Sequence, residues 1–199
     1  MSKFKKTKKA MASMAIVGMA LTMVPMAAFA NTGVTTSNLY GADRIATSIA
    51  VANQGWTSAG AAILAPSADA NLVDALAAAP LAGKTVPILL TDNNSLSAAT
   101  QAELTKLGVK NVYVVGAISQ NVVDQVNAMT GVTATVLKGT SRTGTAAAIA
   151  SKLSNPAGSF VVGYNALADA LSVASFAAAN NYSILVANQD GSLPASEQP

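Results

Sequence analysis

The chain contains no histidine and no cysteine. That excludes Ser-His-Asp and Cys-His catalysis, zinc fingers, haem ligation by histidine and disulfide cross-links. Aromatic side chains are scarce, at 5% of 199 residues, and charged ones make up only 11%. The candidates for stacking on sugars are Trp56, Tyr40, Tyr113, Tyr164 and Tyr182. Tyr113 falls within a strand pattern and Trp56 at a helix end, so recognition by charge and hydrogen bonds is expected rather than by an aromatic platform. What is abundant is alanine, 42 of 199 residues within a hydrophobic fraction of 51%. This composition builds close-packed elements from small side chains and is not that of a disordered chain.

The formal charge of +3 comes from 12 basic and 9 acidic groups, but five of the lysines lie within the first nine residues. They precede the apolar run Ala10–Ala30, which closes on Ala28-Phe29-Ala30. A positive start, an apolar centre and small residues before a polar stretch form a secretory signal peptide, expected to be cleaved after residue 30. Residues 31–199 then carry 7 basic and 9 acidic side chains, a net charge of −2. A nucleic-acid partner is disfavoured on that count, and contact with a membrane is expected only through the uncleaved signal. The product is expected to be secreted, with residues 31–38 as a flexible leader.

Beyond the leader two periods alternate. Short apolar runs at 61–65, 86–90, 111–115, 132–137, 160–162 and 183–186 have the pattern of strands buried on both faces. Between them, 43–53, 69–82, 97–107, 119–129, 142–153 and 166–180 have helical spacing, and Gly83, Gly108 and Gly131 stand where helix C-caps are wanted. Strand and helix in alternation predict an α/β chain with mostly parallel sheets flanked by helices.

The pattern repeats. Leu39-Tyr-Gly-Ala-Asp-Arg-Ile-Ala-Thr47 matches Leu137-Lys-Gly-Thr-Ser-Arg-Thr-Gly-Thr145, Asp74-Ala-Leu76 matches Asp169-Ala-Leu171, and Pro87-Ile-Leu-Leu90 matches Ser183-Ile-Leu-Val186. One module is expected over 39–136 and a second, incomplete one over 137–199.

Four motifs in this order resemble the cell wall binding repeat type 2 family. They are Gly41-Ala-Asp-Arg44-Ile-Ala-Thr47, the Asp74-Ala-Leu76 core within Leu72–Ala82, Pro87-Ile-Leu-Leu-Thr91, and Val112-Tyr-Val-Val-Gly116-Ala-Ile-Ser119. The chain departs from the family pattern at Ala117, where a second glycine is common, and at Thr140-Ser141 and Ser183 in the second module. The resemblance implies small α/β modules in a Toprim-like arrangement, assembling as trimer-like units. It also implies a non-catalytic role: anchoring a surface protein of a Gram-positive cell to an anionic cell wall polymer without a covalent bond. A surface-layer or self-assembling subunit is the alternative within the same expectation.

Arg44 and Arg142 are the only arginines, and they hold equivalent positions at helix starts, against the helix dipole. Two readings stand. In one the guanidinium and the free N–H groups of the helix start bind an anion of the polymer. In the other Arg44 pairs with Asp74 and Arg142 with Asp169, fixing the module. Gly41, Gly139, Thr47 and Thr145 take structural roles beside them.

No catalytic residue, metal or cofactor is expected. Glu103 and Glu197 are the only glutamates and there is no Asp-x-Asp, so a Toprim metal set is missing. Gly139–Thr145 has the spacing of a phosphate loop but no lysine before Thr145. An exported hydrolase would need a serine such as Ser67, near Asp69 and Asp74, to be activated by Lys84.

Overall fold

The computed structural model describes residues 38–193. The expected signal peptide and all of the leader except Asn38 lie outside the described residues. Residues 39–193 fold as one unit. In chain order the elements are α1 (Arg44–Gly55), β1 (Ala61–Pro66), a 3-10 turn (Asp69–Asn71), α2 (Leu72–Ala77), α3 (Ala79–Ala82), β2 (Ile88–Thr91), α4 (Ala98–Lys106) and β3 (Asn111–Val115). There follow α5 (Gln120–Asn127), β4 (Thr133–Leu137), α6 (Arg142–Ala150), β5 (Gly158–Val162), α7 (Leu167–Asn180) and β6 (Tyr182–Val186).

All the strand pairs are parallel, in two sheets of order β2-β1-β3-β4 and β5-β6. Each expected strand is present within two residues of its predicted ends. The helices agree less well at one place. The stretch 69–82 is a 3-10 turn and two short helices rather than one helix. Pro80 is the reason for the break between α2 and α3, since its ring and missing N–H cannot continue a helix through that turn. Gly83, Gly108 and Gly131 take φ of 54°, 71° and 71° at helix ends, while α7 ends on the left-handed Asn181, at φ 56°.

Successive side chains of a strand face opposite sides, and β1 shows what each side is for. Ala62 and Leu64 point into a cluster with Ala52 of α1, Leu104 of α4 and Val122 and Val126 of α5. Ile63 and Ala65 point into a second cluster, with Val73 and Ala77 of α2 and Ala82 of α3. The second cluster also contains Ala146 and Ile149 of α6, Ala170, Ala174 and Ala177 of α7, and Ile184 and Val186 of β6. The two repeats are therefore joined through one core. Alanine at six of these helix positions lets α2, α3, α6 and α7 approach closely, where larger side chains would hold them apart.

Candidate functional site

The Gly-x-x-Arg-x-x-Thr motif builds the same helix start twice. The N–H of Gly41 donates to Thr47 Oγ1 at 3.0 Å, and that of Gly139 donates to Thr145 Oγ1 at 3.1 Å. Asp43 Oδ1 accepts from the Ala46 N–H at 2.7 Å, and Ser141 Oγ accepts from the Gly144 N–H at 3.1 Å. Asp43 and Ser141 are thus the N-caps of α1 and α6. A Cβ on Gly41 would lie 2.4 Å from Ala46 Cβ, and one on Gly139 would lie 2.3 Å from the Gly144 carbonyl carbon. The glycine is required because the chain folds back onto the first turn of its own helix.

The two arginines leave this turn in the same direction. Arg44 donates to the Ser67 carbonyl at 2.6 Å, and Arg142 donates to the Tyr164 carbonyl. Both carbonyls belong to the loop that follows the first strand of the respective repeat. Each arginine therefore ties the start of one helix to the end of that strand. The further partners differ. Arg44 forms an ion pair with Asp69 at 2.5 Å. Arg142 lies 4.7 Å from the ring centroid of Tyr164, reaches Asn165 Oδ1 at 3.1 Å, and crosses to the Ala70 carbonyl of the first repeat at 2.6 Å.

The pairings Arg44–Asp74 and Arg142–Asp169 are not formed. Asp74 is 5% exposed. It accepts a hydrogen bond from the Ala117 backbone, and burial raises its pKa to about 6 against the opposing pull of Arg142 and that bond. Gly116, at φ +71°, sits directly on the carboxylate, since a Cβ there would lie 2.3 Å from Asp74 Oδ2. Asp169 is exposed on α7. The charge that Asp74 feels is that of Arg142, from the other repeat, because α2 faces the second repeat and not α1.

These groups meet at the carboxyl ends of β3 and β4, in a cleft of about 210 Å³ lined by Asn71, Asp74, Gly116, Lys138, Arg142 and Tyr164, among others. Ligands of parallel α/β sheets bind at such strand ends. The cleft has two cationic side chains, Lys138 and Arg142, against the one carboxyl of Asp74, with the amide of Asn71 and the N-terminus of α6 at its rim. Lys138 Nζ is held loosely, 3.5 Å from the Ile118 carbonyl. Arg142 was legible in the sequence as a candidate, and Tyr164 only as one of five aromatic side chains that could stack on sugars, but Lys138 and Asn71 were not. Lys138 had a signal in the repeat, where it replaces Tyr40. Another depression, between α1, α3 and α7, is lined mainly by apolar side chains such as Trp56, Val86 and Ala174 and has no charged group.

Among the described residues no three acidic side chains lie close enough to hold a metal ion. Ser67 and Lys84 do not meet. Ser67 follows the carboxyl end of β1 and Lys84 precedes the amino end of the parallel β2. At ~3.3 Å per residue the length of the sheet separates them by roughly 15 Å or more. The hydrolase reading loses its base.

Two solved structures share this fold. Cwp8 from Clostridium difficile matches with a TM-score of 0.73 and 33% identity, over 79% of this chain and 28% of that one. Cwp6 from the same organism matches with a TM-score of 0.71 and 27% identity, over 82% and 28%. The fold is thus that of a repeated parallel α/β protein, the class these two structures share.

The chain belongs to the family described as Cell wall binding domain 2 (CWB2), whose profile matches residues 38–123 and 136–198. It is also 31% identical over 153 residues to the N-acetylmuramoyl-L-alanine amidase LytC of Bacillus subtilis (strain 168), covering 75% of this chain and 30% of the amidase. A second relative is the amidase enhancer of the same organism, 29% identical over 159 residues, 78% of this chain and 22% of that protein. The chain spans less than a third of the length of each of these relatives.

Proposed function

We propose that this chain is the exported wall-anchoring part of a surface protein, and that it holds an anionic wall polymer, without a covalent bond, in the cleft around Arg142. The observation that carries the reading is the convergence of Arg142, Lys138 and the α6 N-terminus on one open cleft in a chain whose net charge after residue 30 is −2. A mildly acidic chain can hold a polyanion only at a local cationic site, and an arginine at a helix start supplies both a planar donor fork and the positive end of the helix. Arg44 offers a weaker second site, because Asp69 already neutralises it. Weak contacts at separate repeats would add through avidity. The relatives whose names concern amidase action support a reading in which such modules deliver a separate effector to the wall.

The test is co-sedimentation of residues 31–199 with purified cell walls before and after chemical removal of the anionic polymers. Binding is expected to fall at least tenfold on removal, and in Arg142→Ala with the fold retained. Lys138→Ala should weaken binding less, and Arg44→Ala least. Unchanged sedimentation after removal would refute the polymer reading. A second reading, self-association into trimer-like units, is favoured by the exposed Leu167 and Leu171 on α7. A single monomeric mass in solution counts against it.

A further inference from the structure

Asp74 lines the same cleft as Arg142 and Lys138. The ion pairs among the described residues are Arg44–Asp69 and Lys106–Glu103. Arg142 is held instead by the neutral oxygens of Tyr164, Asn165 and Ala70. One carboxyl group therefore shares a space of about 210 Å³ with two cations and pairs directly with neither. Little of it meets water. Asp74 is buried, and the backbone of Gly116 lies directly against its Oδ2.

Few other charges act on this group. The elements packed most closely against α2 are β1, α3, α6, α7, β6 and the 3-10 turn. β1 and α3 carry no titratable side chain, and β6 carries only Tyr182, at its amino end. α6 brings Arg142 and no other charge. Asp69 of the 3-10 turn is paired with Arg44, and Asp169 of α7 is exposed. Lys138 and Tyr164 complete the cleft, with the Tyr164 ring against the Arg142 guanidinium. The charge state of Asp74 thus answers to Arg142, to Lys138 and to whatever the cleft holds.

An anion brought to Arg142 meets the Asp74 carboxylate at close range in a poorly solvated space, where like charges disfavour one another. Binding is easiest when Asp74 carries a proton. Burial has already raised this carboxyl to about 6, so the proton is within reach close to neutral pH.

We propose that anion capture in this cleft is coupled to uptake of one proton by Asp74, so that the cleft holds its anion more tightly as pH falls. The proposal rests on the cleft being an anion site and adds the regulation of that site. With Asp74 protonated, the cleft presents two cations and a neutral acid. With Asp74 ionised, the carboxylate cancels part of their charge. The coupling is reciprocal: the factor by which the proton tightens the anion is the factor by which the anion tightens the proton.

The probe is sulfate, whose charge is constant between pH 5 and pH 8. It is added to residues 31–199 at constant ionic strength and followed by NMR at the Arg142 side chain and the first amides of α6. Affinity is expected to be at least about fivefold higher at pH 5 than at pH 8. In Asp74→Asn, neutral at every pH, affinity should be the same at both. In the natural chain saturating sulfate should raise the proton affinity of Asp74, read at its carboxyl carbon, by the same factor, which tests the coupling without any variant. The proposal is overturned if sulfate binds equally at both pH values, if Asp74→Asn keeps the full pH dependence, or if sulfate leaves the Asp74 titration unmoved. Equal binding at both pH values would remove the proton coupling and leave the anion site standing. No sulfate binding at either pH would overturn both.

Discussion

Asp74 shows what a single buried side chain does to this protein. Its carboxyl is pushed up to about 6 in the folded state from an ordinary value of 3.8. The folded chain therefore binds this proton more tightly than the unfolded chain does. Stability from this group is fully present below pH 3.8, falls as pH rises towards 6, and is absent above it. The loss is of the order of 2–3 kcal/mol for a shift of this size. Urea denaturation at pH 4 and pH 8 is expected to show that fall in the natural chain. In Asp74→Asn it should be largely removed, with a gain in stability at pH 8. At Gly116 two constraints coincide, a positive φ and the carboxylate immediately above it. Gly116→Ala is expected to cost about 3 kcal/mol or more. Gly108 has the same φ of 71° but open space around it, so Gly108→Ala should cost only about 1 kcal/mol. Equal losses in the two variants would show that the carboxylate contact contributes nothing.

Among the elements, α1 and α6 are one design written twice with different atoms. A carboxylate caps the first and a hydroxyl caps the second. The repeat explains why Thr140-Ser141 can replace Ala42-Asp43, because serine and aspartate both present an oxygen to the first turn. Asp43→Ala and Ser141→Ala are each expected to lower stability by about 1 kcal/mol, and the double variant by about the sum. Chemical denaturation midpoints measure both. The arginine that follows the cap is held by a backbone carbonyl in each repeat, so an exposed position at a helix start is still a fixed one. In α1 the fork is neutralised by Asp69, whereas in α6 it is held by the neutral oxygens of Tyr164, Asn165 and Ala70 and keeps its charge beside the cleft. The pair of arginines is identical in sequence role and different in what surrounds it.

At the scale of the whole molecule the shared core is the decisive feature. Ile63 of the first sheet and Ala170 of the second repeat belong to one cluster, and both are fully buried. Neither repeat can unfold without exposing the apolar face of the other. Unfolding is therefore expected to be a single transition, with Trp56 fluorescence from the first repeat coinciding with circular dichroism of the whole. Ala170→Leu, in the second repeat, should overpack the core by about 1–3 kcal/mol. It should lower the Trp56 midpoint equally with the dichroism midpoint. Two separated transitions would contradict a common core.

The sequence by itself determined the alternation of strand and helix, the parallel class of the sheets, the repeat, and the motif that starts α1 and α6. These depend on local rules: apolar runs of strand length, helical spacing, a glycine at a close turn and an oxygen at a cap. The break at Ala78 was also written locally, in Pro80, although the helical spacing of 69–82 masked it. Only the tertiary structure decided which carboxylate meets which arginine. Asp74 and Arg44 are regularly spaced in the repeat, and spacing alone paired them within one module. The crossing of α2 to the second repeat instead sets Asp74 within the field of Arg142 and under Gly116. Lys138, Asn71 and Tyr164 entered the site for the same reason, as they follow β4, β1 and β5, three strands whose ends only the tertiary packing brings together. Local preference acts within a few residues, whereas the charge and shape of a cleft are set by parts of the chain up to 93 positions apart, from Asn71 to Tyr164.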